Sequence, residues 1–201
     1  MLTAFLLTQV ACVFPPEDFE YAYATWCDTA RSEVVDCVYD GDTFYLGGCG
    51  GDSEEDFRLL GIQAPELSTD NDEEPQCYGT EATELLEELV LGERVRLEFD
   101  VECEGVFGRT LAWVFLEDPS PAVISTIEQI EGFDEEIDTT DTTADDRNDL
   151  DEILINEVMV RAGYATLYEG EVANNVRYSS RLEDALEQAE DQSRGLWGEC
   201  D

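Results

Sequence analysis

Apolar residues recur along this chain with two periods, and their order predicts the elements. Residues 33–39 are rich in β-branched side chains and run into the turn Asp40-Gly41-Asp42-Thr43, after which Phe44-Tyr45-Leu46 resumes an apolar run. A glycine-rich stretch at 47–51 leads to a further strand over 56–60, so the three pieces read as a meander. Ala82, Leu85, Leu86, Leu89 and Val90 then fall at helical spacing, with Gly92 just beyond as a C-cap. Polar and apolar residues alternate strictly over 94–99, the mark of a half-buried strand, and 111–116 is an apolar run suited to a buried one. Two helices follow. One carries the stripe Ile155, Val158, Met159 and Ala162 and stops at Gly163; the other carries Tyr178, Leu182, Ala185, Leu186 and Ala189 and stops before Gly195. About five strands and three helices in this order predict an α+β domain on a small five-stranded barrel. An OB-fold-like barrel is the natural candidate, although periodicity alone does not separate it from other small barrels.

The intervals between these elements differ in kind. Residues 117–152 are polar, acidic and threonine-rich, and most of this stretch reads as a mobile surface insertion without a catalytic role. The N-terminus is a short apolar run with Ala11 before Cys12, like the end of a secretory signal. Gln9 and the missing basic residues make its likeness to a lipoprotein signal partial, and a buried N-terminal segment is the alternative. The run is too short to span a membrane. With 13–23 as a tether, the chain divides into 1–24, a signal or lipoprotein-type segment, and 25–201, the folded domain. If Cys12 accepts a lipid, six cysteines remain, enough for three disulfides in any of 15 pairings. No C-x-x-C pair occurs, which speaks against a zinc ribbon or a thioredoxin-type site. Together these features predict a monomer that is secreted or anchored to a membrane through lipidated Cys12.

Composition narrows the chemistry. The 201 residues are 43% hydrophobic, enough to bury the core of one domain. There are 50 acidic residues against 10 basic ones, a net charge of −40; every base is arginine, and histidine is absent. Histidine-dependent nucleophile systems, histidine general bases and imidazole-ligated zinc are therefore excluded. Only 11 of the acids lie within 131–152, and the other 39 are spread along the chain. Such dispersal suits a protein adapted to high salt, where the Debye length shrinks to about 3 Å and self-repulsion is screened. The alternative is an unusually acidic protein from an ordinary habitat.

Five short motifs carry the candidate chemistry: Asp40-Gly41-Asp42-Thr43, the run from Phe57-Arg58 through Gln63-Ala64-Pro65-Glu66, Tyr78-Gly79, Phe107-Gly108-Arg109, and Asn156-Glu157. In this order they resemble the staphylococcal nuclease (thermonuclease) family, whose pattern runs D-G-D-T, F-R-L-L-x-V-D-x-P-E, Y-G, Y-G-R and N-E. The resemblance extends over about 34–197 and is interrupted by the acidic insertion. It implies phosphodiester hydrolysis of DNA or RNA. Arg58 and Arg109 would clamp the phosphate, Arg109 nearer the leaving group, and Glu66 would activate water. Asp42 would bind a catalytic Ca²⁺ with help from the Ala64 carbonyl. The logic is physical as well, because a crowded phosphorus centre gaining negative charge needs cations aimed at its oxygens, and arginine offers a fixed fork of donors.

Departures from the pattern qualify the expectation. Gln63 stands where the family usually has a second calcium-binding aspartate; it can offer a carbonyl oxygen, but one ligand charge is lost. Phe107 replaces a tyrosine and Val106 a phosphate-contacting lysine, so substrate is held differently, with Phe107 and Tyr168 as candidate substrate contacts. Asn156 reads as a structural hydrogen-bonding residue. The charge of −40 opposes nucleic-acid binding in dilute buffer. The chain is thus expected to be a calcium-dependent nuclease, and the alternative is an impaired module of the same fold that binds without cutting.

Overall fold

The computed structural model describes residues 29–49, 55–67, 74–101, 103–105, 107–130, 152–168, 170 and 177–200. The expectations for 1–24, including lipidated Cys12, and for 131–151 of the acidic insertion lie outside the described residues.

In chain order the strands are β1 (Arg31–Val34), β2 (Cys37–Asp40), β3 (Thr43–Leu46), β4 (Glu55–Leu59), β5 (Ile62–Gln63), β6 (Arg94–Glu98), β7 (Thr110–Glu117) and β8 (Thr166–Leu167). The helices are α1 (Gly79–Val90), α2 (Pro121–Glu128), α3 (Ile155–Arg161), α4 (Ser179–Asp191) and α5 (Leu196–Glu199). Six strands make one mixed sheet in the order β1-β6-β7-β4-β3-β2, and β5 pairs with β8. All neighbours are antiparallel except β4 and β7, which run parallel.

The two edge strands β1 and β2 are consecutive in the chain, with only Val35 and Asp36 between them. At this point the backbone changes partner. The Val35 N–H donates to the Glu93 carbonyl at 3.1 Å, whereas the next N–H, from Asp36, donates to the Tyr45 carbonyl at 3.3 Å. The sheet must therefore curl to bring its ends together. This is the OB-fold-like α+β domain expected, with a correction of detail. The strand predicted over 33–39 is divided, the main sheet holds six strands where five were expected, and among the described residues no ladder closes the barrel between its edges.

Helix α1 buries Ala82, Leu85, Leu86, Leu89 and Val90, the stripe its spacing predicts. The predicted count of three helices is corrected by α2 and the short α5. Helix α2 lies inside the stretch expected to be a mobile insertion. Ser120 caps it by accepting from the Val123 N–H, Pro121 opens it, and Val123 and Ile127 are buried in the core. Its apolar pattern is short and sits in an acidic neighbourhood, so composition masks it. Within the core, Phe44 and Phe57 face each other across β3 and β4 and stack with centroids 5.6 Å apart.

Two disulfides join described residues, Cys37–Cys49 and Cys77–Cys200, and Cys103 is also disulfide-bonded. Asn156, fully buried on α3, holds the sheet beneath the site. Its Oδ1 accepts from the Val114 N–H at 3.0 Å, and its Nδ2 donates to the carbonyls of Leu60 at 2.9 Å and Ala112 at 3.2 Å. Asn156→Leu keeps the bulk but strands the Val114 N–H and the Leu60 carbonyl away from water, while the Ala112 carbonyl still accepts from the Leu60 N–H. We expect this variant to lose about 2–4 kcal/mol in urea unfolding. A loss below about 1 kcal/mol would show that the backbone groups find other partners.

Candidate active site

The site forms where β3 begins, β4 passes its middle, β5 ends and β7 begins. Gly41 lets the Asp40–Thr43 turn press against α1. A Cβ there would lie 2.6 Å from the Ala82 Cβ and 2.7 Å from the Ala64 Cβ, so glycine is required for space. The turn buries Asp42, which is 2% exposed, beside the buried Asp40. Arg58, opposite Thr43 on β4, reaches over this pair. Its Nη1 donates to Asp42 Oδ1 at 2.6 Å and its Nη2 to Gln63 Oε1 at 2.7 Å. The Thr43 hydroxyl also donates to Asp42 Oδ1, at 3.0 Å, and the Ala64 N–H donates to Oδ2 at 2.9 Å. Gln63 Nε2 donates to the Ala64 carbonyl at 3.0 Å and to Glu66 Oε1 at 3.3 Å.

Burial first, then the neighbouring Asp40, pushes the Asp42 carboxyl up to about 7. Arg58, the Ala64 N–H and Thr43 pull the other way. A single guanidinium does not fully offset two adjacent buried acids.

Arg58, Gln63, Glu66, Phe107, Arg109 and Tyr168 line one cleft of about 340 Å³. Arg109 enters just ahead of β7. Its Nη1 donates to the Thr43 hydroxyl at 3.4 Å and its guanidinium lies over the Phe107 ring, 5.6 Å from the centroid. Among the described residues it forms no ion pair, unlike Arg58. Phe107 is 81% exposed, and Arg58 lies over the Tyr168 ring at 5.9 Å. The structure therefore brings Arg58, Glu66, Arg109, Gln63, Phe107 and Tyr168 onto one cleft, with Asp42 and Ala64 in its buried wall. Sequence reasoning missed Glu104, which also lines the cleft. Nothing in its local pattern marks it among so many acids. Position 106, noted for its valine, lies outside the described residues.

The family model described as staphylococcal nuclease homologue matches residues 56–199, well over half of the chain. The chain belongs to the staphylococcal nuclease family. It is 40% identical over 88 residues to a thermonuclease of Staphylococcus intermedius, a match covering 44% of this chain and 51% of that protein. It is 27% identical over 160 residues to a thermonuclease of Staphylococcus hyicus, covering 80% of this chain and 72% of that protein. The chain thus spans about half the length of the first relative and nearly three quarters of the second.

The wall of the site has the chemistry a hard cation requires. Asp42, Gln63 and the Ala64 carbonyl offer only oxygen ligands. Asp42 gains from a neighbouring positive charge, since burial beside Asp40 disfavours its ionised form. The set carries one formal charge, and among the described residues no cluster of three or more acidic, cysteine or histidine side chains surrounds it. In the arrangement observed, Gln63 turns its oxygen to Arg58 and its nitrogen to Ala64 and Glu66. Ligation by Gln63 requires the amide to turn over. The residues are of the type a hard cation takes, with fewer charges than a set holding a second carboxylate, and in the arrangement observed their oxygens accept hydrogen bonds from Arg58, Gln63 and Ala64.

Proposed function

We propose that this chain is a calcium-dependent nuclease that hydrolyses phosphodiester bonds in DNA or RNA, acting outside the cytoplasm as a secreted or lipid-anchored monomer. The observation that carries the reading is Arg109. In a chain with 50 acids it lines a cleft with Arg58 and Glu66, forms no ion pair among the described residues and gives one donor to the Thr43 hydroxyl, leaving the others for an anion. Family membership and the relatives' name, thermonuclease, support the same reading.

In this proposal Arg58 and Arg109 hold the non-bridging phosphate oxygens and meet the charge that builds on them. Glu66 takes a proton from water as the water oxygen attacks phosphorus; the P–O bond on the far side breaks, and the departing oxygen takes a proton from solvent. Arg109 faces that leaving oxygen, and Phe107 and Tyr168 stack on the flanking bases. Asp42, Gln63 and the Ala64 carbonyl would hold calcium, which supplies fixed positive charge beside the phosphate.

The test is cleavage of single-stranded and duplex DNA, and of RNA, with millimolar calcium or a chelator, from dilute buffer to molar salt. We expect cleavage with calcium and none with chelator, activity that first rises with salt, and a melting temperature that rises with it. A monotonic fall in both activity and stability as salt is added would remove the high-salt reading. Gln63 favours one other reading, a module that binds nucleic acid without cutting it. Binding without cleavage by protein folded in molar salt would decide for that module.

A further inference from the structure

Glu66 follows β5 in a stretch without regular structure, and among the described residues two contacts hold its backbone. Its N–H donates to Gln76 Oε1 at 3.0 Å, and the Gln76 N–H donates back to its carbonyl, also at 3.0 Å. Gly79 closes the clasp. A Cβ at Gly79 would sit 2.3 Å from the Glu66 carbonyl oxygen, so α1 begins against the residue that carries the base. Gln76 itself is exposed and makes no regular element. Its carbonyl accepts from the Gly79 N–H at 2.9 Å, and its neighbour Cys77 is bonded to Cys200 across 123 positions of sequence. Cys200 ends α5, whose Leu196 N–H donates to the Gly163 carbonyl at 2.8 Å, and Gly163 leads within three residues to β8. Strand β8 pairs with β5, placing Thr166 opposite Gln63. The disulfide thus closes a loop of contacts that leaves the site at β5, runs through β8 and α5, and returns to the clasp on Glu66.

Resting on the nuclease reading above, we infer that the Cys77–Cys200 disulfide is a positioning device for Glu66, so that catalysis depends on its oxidised state. With the bond intact, Gln76 is held and Glu66 keeps its place at the cleft. An exposed disulfide at Cys77 is open to a dithiol, which loses two electrons and two protons to become its own disulfide. The Cys77–Cys200 bond breaks and both sulfurs become thiols. Gln76 then keeps only its turn to Gly79 and its own hydrogen bonds to Glu66, and the clasp loosens. Arg58 and Arg109 stand on β4 and ahead of β7; Arg58 touches this loop through Gln63 and Tyr168 but is carried by the main sheet, so phosphate binding persists.

The test compares the full chain with the paired substitution Cys77→Ser and Cys200→Ser, with Gln76→Ala, which leaves the disulfide whole, and with each in a Glu66→Ala background. In both Glu66-containing variants kcat is expected to fall about tenfold or more with KM within about threefold, as small misplacements of a catalytic group do. In the Glu66→Ala background neither change should lower kcat further. The backbone amide of Glu66 should lose about tenfold in hydrogen-exchange protection in each variant. Unchanged kcat and unchanged Glu66 protection would overturn the inference, as would a kcat loss that persists in full without Glu66. If the native chain cleaves nothing, the nuclease reading fails by itself. The exchange measurement then still decides whether the disulfide fixes Glu66.

Discussion

Glu66→Ala is expected to lower kcat for oligonucleotide cleavage by roughly 10²–10⁴-fold, the usual contribution of a positioned general base. Affinity for an oligonucleotide in chelator should stay within about twofold, because the cations that grip phosphate are elsewhere. Both expectations follow from where Glu66 sits. It lines the cleft with Arg58 and Arg109, yet its one described side-chain contact is a 3.3 Å hydrogen bond from Gln63, so its carboxylate keeps lone pairs for a water. Removing it takes away a proton acceptor and leaves the guanidiniums in place. Folding should change little, since the residue is only half-buried. Single-turnover cleavage measured beside equilibrium binding is the check. A loss in binding as large as the loss in kcat would mean that Glu66 organises the cleft and does not carry the proton.

Much of this site was legible because its residues lie in short local runs. The run from Phe57 to Glu66 places Arg58 on one strand and Glu66 beyond the next, and Phe107-Gly108-Arg109 opens another strand that lies against the first. The fold class was legible for a similar reason, since the alternation over 94–99 and the stripe over 82–90 each report one buried face. What stayed hidden depends on contacts between distant residues. The change of partner at Val35 is set by Glu93 and Tyr45, neither of which is local to it. The two-residue ladder of β5 with β8 is too short to leave a period. The pairing of Cys77 with Cys200 occurs in three of the 15 schemes that six cysteines allow, and spacing cannot rank them. Gln76 belongs to no motif, and its relation to Glu66 exists only in the folded chain.

Arg58→Ala should damage both function and fold, and its effect on the fold should grow with pH. Asp42 in the native chain is pushed up to about 7 from its ordinary 3.8. A raised folded value means that the unfolded chain gives up its proton first, so Asp42 costs stability as pH rises through this interval. The groups acting on it are Asp40 and Thr43 from the turn, Arg58 from β4 and the Ala64 N–H; Gln63, Glu66 and Arg109 meet it only through Arg58, Gln63 and Thr43 in turn. Among the charges that face it, Arg58 is the one in direct contact, and it lowers the Asp42 value; without it the folded carboxyl holds its proton to still higher pH. At pH 5 Asp42 is largely protonated in both folded proteins, and the variant should lose only the two hydrogen bonds of the guanidinium, about 1–2 kcal/mol. At pH 8 the variant must bury an unpaired charge or retain a proton against the solvent, and the loss should reach roughly 3 kcal/mol. Urea unfolding of both proteins at the two pH values, with chelator present so that no cation replaces the guanidinium, checks the sign. Activity at saturating calcium should fall at least about 10²-fold, because the phosphate loses one of its two clamps. An equal loss of stability at pH 5 and pH 8 would mean that Arg58 acts on the fold through packing over Tyr168, and that its charge is not what allows Asp42 to be buried.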